Sequence, residues 1–153
     1  MIIKILVLDV DGTLTDGKIN ISDNGELFKS FSVKDGYGII QANKNNVIPI
    51  IITGRNSIIT GNRCEELGIK HIYQGIDNKK ELLIQLSKDM QFSLEEVAYI
   101  GDDLNDLDCM KVCGLVGCPN DAVEGVKKIA HFISKYKGGE GAVREFIDYI
   151  LEQ

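Results

Sequence analysis

Short apolar runs alternate along the chain with longer stretches in which apolar residues recur every three or four positions. The short runs predict buried strands, and the longer stretches predict helices that pack one face against a sheet. The predicted strands lie at residues 4–8, 47–53, 71–74, 97–101, 114–117 and 131–133. The predicted helices lie at residues 57–67, 79–89, 106–112, 121–128 and 142–151. This order favours an α/β fold, a Rossmann-like doubly wound parallel sheet flanked by helices.

One segment departs from this alternation. Between residues 17 and 33, apolar positions flank Asp23-Asn24-Gly25. An Asn-Gly pair between alternating runs is a strong signal for a tight hairpin turn. We therefore expect an inserted β-hairpin at about residues 18–33, called the flap below, which stands off the sheet after the first strand.

Length and composition set the class of protein. A chain of 153 residues suits a single domain over residues 1–153, and 44% hydrophobic residues exclude general disorder. Its apolar runs are far shorter than the roughly 20 residues of a membrane-spanning helix, so we expect no membrane partner. A formal charge of −6 with no long basic run argues against nucleic-acid binding. The sequence begins directly in a strand pattern without a signal peptide, which favours a cytoplasmic protein.

The cysteines do not predict a zinc site. No two of them form a Cys-x-x-Cys pair, and buried reduced thiols are the expectation. They are Cys64, Cys109, Cys113 and Cys118.

Acidic residues follow two of the predicted strands. Asp9 and Asp11 come directly after the first, and Asp102 comes after the strand at residues 97–101. Carboxyl ends of parallel strands meet at the edge where open α/β folds bind ligands, and residues two apart on a strand point to the same side. Carboxylates without accompanying His or Cys favour Mg²⁺ over zinc. Taken alone, Asp-x-Asp-Gly is more typical of a plain turn after a strand than of a metal site.

Four motifs occur in one order along the chain. They are Asp9-Val10-Asp11-Gly12-Thr13, Thr53, Lys79 and Gly101-Asp102-Asp103. Together they resemble the motifs of the haloacid dehalogenase superfamily of aspartate-based phosphotransferases. The resemblance covers nearly the whole chain, and it implies the type without a cap domain, because large caps need more residues than this chain has.

The resemblance implies roles in phosphoryl transfer. Asp9 is the expected nucleophile, which forms an aspartyl-phosphate, and Asp11 is the expected general acid and base. Thr53 and the Gly54 amide are expected to hold the phosphoryl oxygens. Lys79 is expected to neutralise developing charge, contact the substrate and pair with Asp9.

The resemblance also implies a Mg²⁺ cofactor. Its expected ligands are Asp9, the backbone carbonyl of Asp11, and Asp102. Asp103 or Asp106 is expected to orient metal-bound waters or Lys79. For Asp106, stabilisation of a helix N-terminus is the alternative.

A second set of segments resembles one particular group within this superfamily. These segments lie at residues 14–17, 31–39, 52–55, 63–64, 67–69, 73–75 and 138–145. They resemble the 3-deoxy-D-manno-octulosonate 8-phosphate phosphatases, which release phosphate from an eight-carbon acidic sugar on the route to lipopolysaccharide. A nine-carbon sialic-acid-type 9-phosphate is the alternative substrate, and Ile40 stands where the octulosonate group often has a basic residue.

This closer resemblance implies the contacts to an acidic sugar phosphate. Arg55 and Arg63 are expected near the substrate carboxylate, which the planar guanidinium fork can bind through two hydrogen bonds. The alternative for either arginine is a solvated helix face. Backbone contacts are expected from a segment of five residues. That segment comprises Ser32, Val33, Lys34, Asp35 and Gly36.

A site without a cap needs another cover. In the resembled family, four subunits assemble so that each hairpin and each glycine-rich tail reaches a neighbour's pocket. The flap and residues 138–144 are the corresponding segments here, so we expect a homotetramer. The alternative for residues 138–144 is a plain loop before the last helix.

Two other function classes remain to be weighed. A non-catalytic partner of a sugar-nucleotide transferase would be expected to have lost one of the four residues Asp9, Asp11, Lys79 and Asp102, and all are present. A mutase is disfavoured because no cap would shield the phosphorylated intermediate from water.

Overall fold

The computed structural model describes residues 2–153 and contains two sheets. Its strands are β1 (Ile5–Leu8), β2 (Ile21–Ser22), β3 (Gly25–Glu26), β4 (Ile48–Ile52), β5 (His71–Tyr73), β6 (Val97–Ile100), β7 (Leu115–Cys118) and β8 (Phe132–Ile133). Its helices are α1 (Val33–Lys44), α2 (Ile58–Glu66), α3 (Lys79–Asp89), α4 (Leu107–Met110), α5 (Glu124–Lys127) and α6 (Ala142–Leu151). Six strands form one sheet in the order β5-β4-β1-β6-β7-β8, and all five neighbouring pairs are parallel. The predicted parallel α/β fold is confirmed.

Strand β1 lies in the middle of this sheet and is buried along its whole length. Leu6 and Leu8 contribute to the hydrophobic core on one face, and Ile5 and Val7 contribute to the core on the other. This explains why the strand is a continuous apolar run, since both of its faces are covered. The chain pairs β4 on one side of β1 and later β6 on the other, so the end of β1 marks the topological switch point, where ligands bind in such folds.

The hairpin is shorter than the pattern predicted. Its paired strands are only β2 and β3, and Gly25 at the turn has a φ of +116°. Val33, expected at the end of the hairpin, is instead the first residue of α1. Helix α1 begins there because the Ser32 hydroxyl accepts a hydrogen bond from the Asp35 amide and caps the first turn.

Two shorter helices also differ from their predicted ranges. Helix α4 covers less than residues 106–112, since residues 104–106 form a separate 3₁₀ turn, and α5 covers less than residues 121–128. All four cysteines are free, as expected, and three of them are buried. Among residues 2–153, no helix combines the length and the apolar character needed to cross a membrane.

A side chain of α1 caps the last helix. The Arg144 amide, in the first turn of α6, donates a hydrogen bond to Oδ1 of Asp35 at 2.9 Å, whereas the N-cap residue Gly141 has no side chain to serve. Oδ2 of Asp35 is buried without a hydrogen-bond partner in the described residues. Burial raises the pKa of Asp35 from its ordinary value near 3.8 to about 6.

This raised pKa predicts a pH-dependent stability. Between pH 4 and pH 6 the unfolded chain releases a proton that folded Asp35 retains, so the free energy of unfolding falls as the pH rises, and the loss persists above pH 6. Asp35→Asn keeps an acceptor oxygen and removes the charge. At pH 7 we expect the free energy of unfolding of this variant to exceed that of the wild type by up to about 3 kcal/mol. At pH 4 we expect little difference. Urea unfolding at both pH values measures this, and an equal difference at both would contradict it.

Candidate active site

Four of the expected site residues lie at the carboxyl ends of three adjacent strands. Asp9 and Asp11 follow β1, Thr53 follows β4 and Asp102 follows β6. The Asp9 amide donates to the Ile100 carbonyl at 3.1 Å, which extends the pairing of β1 with β6 by one residue. The parallel register thus brings residues distant in sequence to one edge of the sheet, as the sequence predicted.

Lys79 is the first residue of α3, and its buried side chain reaches this edge of the sheet. Its Nζ lies 3.0 Å from Oδ1 of Asp9 and 2.9 Å from Oδ1 of Asp106, and all three side chains are buried. Burial lowers the pKa of Lys79, but the two carboxylates outweigh this and raise it above its ordinary value. Lys79 is therefore a fixed positive charge beside Asp9.

Asp106 orients Lys79. Its Oδ1 accepts from Lys79 and from the Tyr99 hydroxyl at 2.6 Å, and its Oδ2 accepts from the amides of Asp102 at 3.2 Å and Asp103 at 3.4 Å. The Asp103 side chain instead caps the 3₁₀ turn through the Leu104 amide. These contacts favour Asp106 over Asp103 as the residue that positions the lysine.

The acidic side chains fit a hard divalent cation. Oxygens of Asp9, Asp102 and Asp106 lie within 4.8 Å of one another. Because four donors already surround Asp106, Asp9 and Asp102 are the carboxylates left to bind a metal. Asp102 also accepts a hydrogen bond from the Thr13 hydroxyl at 3.0 Å. Oxygen donors without His or Cys suit Mg²⁺.

Electrostatics point to the same cation. Burial, then the charges of Asp106 and Asp102, raise the pKa of Asp9 well above its ordinary value, although Lys79 opposes this. Burial raises the pKa of Asp102 to about 6. Two carboxylates this close, one buried and one partly buried, repel each other unless a positive charge lies between them.

The Asp11 carboxylate does not belong to this cluster. Its Oδ1 lies 2.5 Å from Nζ of Lys29, and its Oδ2 lies 4.0 Å from Nε of Arg55. This arrangement is compatible with the expectation that only the backbone carbonyl of Asp11 would hold a metal. It also places the half-exposed Arg55 side chain beside Asp11.

Arg63 lies elsewhere. Its guanidinium pairs with Glu66 at 2.6 Å and lies over the Phe31 ring, 5.9 Å from the centroid. Arg63 lines a small cavity of about 10 Å³ together with Ser32, Asp35 and Gly36, and neither Lys79 nor the clustered carboxylates line it. The structure therefore groups Arg63 with the start of α1. Val33 and Lys34 are exposed.

Sequence reasoning missed three residues beside the site. The Lys29 side chain is only 3% exposed and pairs with Glu26 at 3.1 Å, and Glu26 accepts a hydrogen bond from the Ser57 hydroxyl at 2.6 Å. Burial lowers the pKa of Lys29, but Asp11 and Glu26 raise it above its ordinary value. Nothing in the sequence marks Lys29, because a lysine in an alternating hairpin pattern is ordinarily exposed.

Comparisons with known proteins agree with this geometry. Residues 68–147 match the model of a family described as haloacid dehalogenase-like hydrolase. The 3-deoxy-D-manno-octulosonate 8-phosphate phosphatase of Salmonella typhi is 44% identical over 149 residues, which are 97% of this chain and 79% of that protein. The crystal structure of the same enzyme from Yersinia pestis has a TM-score of 0.95 and 42% identity, and the match covers 98% of this chain and 81% of that one.

A third comparison includes bound molecules. The 3-deoxy-D-manno-octulosonate 8-phosphate phosphatase from Moraxella catarrhalis was crystallised in complex with a magnesium ion, a phosphate ion and a KDO molecule. It has a TM-score of 0.94 and 40% identity, and the match covers 98% of this chain and 86% of that one.

Proposed function

This chain belongs to the haloacid dehalogenase-like hydrolases, within the family of 3-deoxy-D-manno-octulosonate 8-phosphate phosphatases, and from that membership we propose its activity. It is a magnesium-dependent phosphomonoesterase that hydrolyses 3-deoxy-D-manno-octulosonate 8-phosphate to the free sugar acid and phosphate. The observation that carries this proposal is the position of Asp9. At the switch point of the sheet, its carboxylate lies 3.0 Å from the buried Lys79 ammonium and within 4.8 Å of an oxygen of the Asp102 carboxylate.

The reaction needs mainly preorganised charge. Acceleration of phosphate-monoester hydrolysis by up to ~10²¹ corresponds to about 29 kcal/mol. General acid catalysis supplies about 3–5 kcal/mol of this, and positioning supplies about 7–11 kcal/mol. More than about 10 kcal/mol is left for fixed charges around the transferring group. Lys79, held by Asp106 at 2.9 Å, is such a charge.

The reaction has two chemical steps, and each residue of the site has a role in them. A carboxylate oxygen of Asp9 attacks phosphorus and forms the aspartyl-phosphate as the bond to the sugar oxygen breaks. Asp11 gives its proton to that leaving oxygen and then takes one from the water that hydrolyses the aspartyl-phosphate. Thr53 and the Gly54 amide hold phosphoryl oxygens, and Lys79 neutralises their charge. Mg²⁺ bound by Asp9 and Asp102 supplies the positive charge that lets an anionic nucleophile approach an anionic ester.

A phosphate-release assay tests this function. We expect kcat/KM to be highest on the eight-carbon 8-phosphate, lower on a nine-carbon 9-phosphate, and negligible for both after chelation of divalent metal. The relatives reported above act on the eight-carbon ester, and an intact set of Asp9, Asp11, Lys79 and Asp102 does not favour a non-catalytic partner. Failure to release phosphate from either ester with Mg²⁺ present would overturn the proposal.

Metal binding is expected to stabilise the folded chain. Because Mg²⁺ binds the folded state, a concentration of 100 times its Kd is expected to add about 2.7 kcal/mol to the free energy of unfolding. Asp102→Asn removes one of the two carboxylates assigned to the metal and should abolish that gain in the free energy of unfolding. Thermal unfolding with and without MgCl₂ measures it, with Asp89→Asn, an exposed residue of α3, as the matched control. An undiminished magnesium-dependent shift in Asp102→Asn would contradict the ligand assignment.

We also propose that the enzyme is a homotetramer of the cytoplasm, acting in lipopolysaccharide synthesis. Support for assembly comes from large apolar side chains that are exposed on the flap and on the two helices beside it. They are Ile19, Ile21, Leu27 and Phe28 of the flap, Val33 and Tyr37 of α1, and Ile58 of α2. Large exposed apolar side chains that concentrate on a few elements are typical of an interface. Sedimentation should give four times the 16.9 kDa chain mass, and a fully active monomer would contradict it.

A further inference from the structure

A buried lysine of the flap holds the carboxylate expected to act as general acid. Lys29 Nζ lies 2.5 Å from Oδ1 of Asp11, and the Lys29 side chain is 3% exposed against 20% for Asp11. Arg55 approaches the other oxygen of the same carboxylate, with Nε 4.0 Å from Oδ2. Both oxygens of Asp11 thus face a cation, which restricts the directions in which the carboxyl group can point.

The lysine is itself fixed from the other side. Glu26, on β3 of the flap, lies 3.1 Å from Lys29 Nζ, and its second oxygen accepts from the Ser57 hydroxyl at 2.6 Å. Ser57 is the N-cap of α2, which follows the loop that carries Thr53 and Gly54. A continuous chain of contacts therefore runs from the body of the protein through the flap to Asp11.

We propose that Lys29 is a positioning residue, which aims the Asp11 carboxyl group at the leaving oxygen from its place on the flap. The proposal rests on the function proposed above. Burying an ammonium group is costly unless carboxylates surround it. An apolar side chain would anchor the flap without that cost, so an anchoring role alone does not account for a lysine at this place.

Two substrates with different leaving groups distinguish a positioning role of Lys29 from a purely structural one. A sugar phosphate expels an alkoxide-like oxygen, which needs a proton from Asp11, whereas p-nitrophenyl phosphate expels an aryl oxide that is stable as an anion. We expect Lys29→Met, which retains the aliphatic stem, to slow first-turnover release of the sugar by about 10–100-fold. First-turnover release of nitrophenolate, measured by stopped flow before any water attack, should change less than about threefold.

Lys18→Met is the matched control, because Lys18 is an exposed flap lysine with no ion pair in the described residues. It should leave both first-turnover rates unchanged. If Lys29→Met does not fold, Glu26→Gln replaces it, since the amide keeps an oxygen for Ser57 and weakens the hold on Lys29. A smaller loss with the same selectivity for the sugar ester is expected.

The outcomes are distinguishable. Selective loss on the sugar ester in Lys29→Met or Glu26→Gln supports the positioning role. Equal losses on both esters, no loss on either, or a faster first turnover would overturn it while leaving the phosphatase function intact. A wild-type protein that releases neither sugar nor nitrophenolate would overturn both proposals together.

Discussion

Asp9→Asn should lower phosphate release by at least about 10⁴-fold, because the amide has no anionic oxygen with which to attack phosphorus. The variant should fold normally, since Asn has the same shape and removes a buried charge whose pKa is raised by burial and by the nearby Asp106 and Asp102 carboxylates. Steady-state kinetics with the sugar phosphate measure the loss, and thermal unfolding in the absence of Mg²⁺ checks the fold.

The matched control is Asp23→Asn, which removes an exposed carboxylate at the tip of the flap. Its kcat/KM should stay within about twofold of the wild type, as expected for a surface substitution that disturbs no buried contact. Retention of more than a tenth of wild-type turnover by Asp9→Asn would contradict the nucleophile assignment.

Lys79→Met should combine the largest loss of stability with a large loss of activity. Removing the lysine leaves the buried Asp9 and Asp106 carboxylates without their cation, and breaking a buried pair in this way costs about 3–5 kcal/mol. Loss of a fixed charge at the transferring phosphoryl group lowers kcat by about 10²–10³-fold. Urea unfolding and steady-state kinetics measure the two effects separately.

A second substitution distinguishes the two effects. Adding Asp106→Asn to Lys79→Met removes one uncompensated charge and should restore part of the stability but none of the activity. Lys80→Met, at the exposed next position of α3, is the control and should change neither. An unfolding midpoint of Lys79→Met at the same urea concentration as the wild type would show that the buried ion pairs do not stabilise the fold as expected.

The sheet could be predicted because burial on both faces leaves a direct trace in the sequence. Strand β1 consists only of Ile, Leu and Val, and β4 contains four Ile residues and Pro49; each strand is followed by polar residues at the site. The flap was predicted in place but overextended, because alternation continues through Phe31 and Val33 into α1. The alternation ends at Ser32, whose hydroxyl caps α1 through a local hydrogen bond from the Asp35 amide. The pattern of hydrophobic residues does not reveal that hydrogen bond.

The site could be predicted as far as its motifs reach. Asp9, Lys79 and Asp102 converge because the ends of adjacent parallel strands and a helix start share one edge. The choice between Asp103 and Asp106 needed the structure, since both lie in one short acidic stretch and only hydrogen-bond partners separate them. Lys29 could not be predicted, because its burial depends on how the flap folds over Asp11.

A crystal of this chain grown with MgCl₂ and BeF₃⁻ tests whether Asp9 is the residue that accepts the phosphoryl group. Trifluoroberyllate mimics a phosphoryl group and bonds to the carboxylate that accepts one. We expect density for BeF₃⁻ joined to a carboxylate oxygen of Asp9, with a magnesium ion contacting Asp9 and Asp102. Density joined to Asp11 or another residue, or no density at Asp9 under saturating conditions, would contradict it.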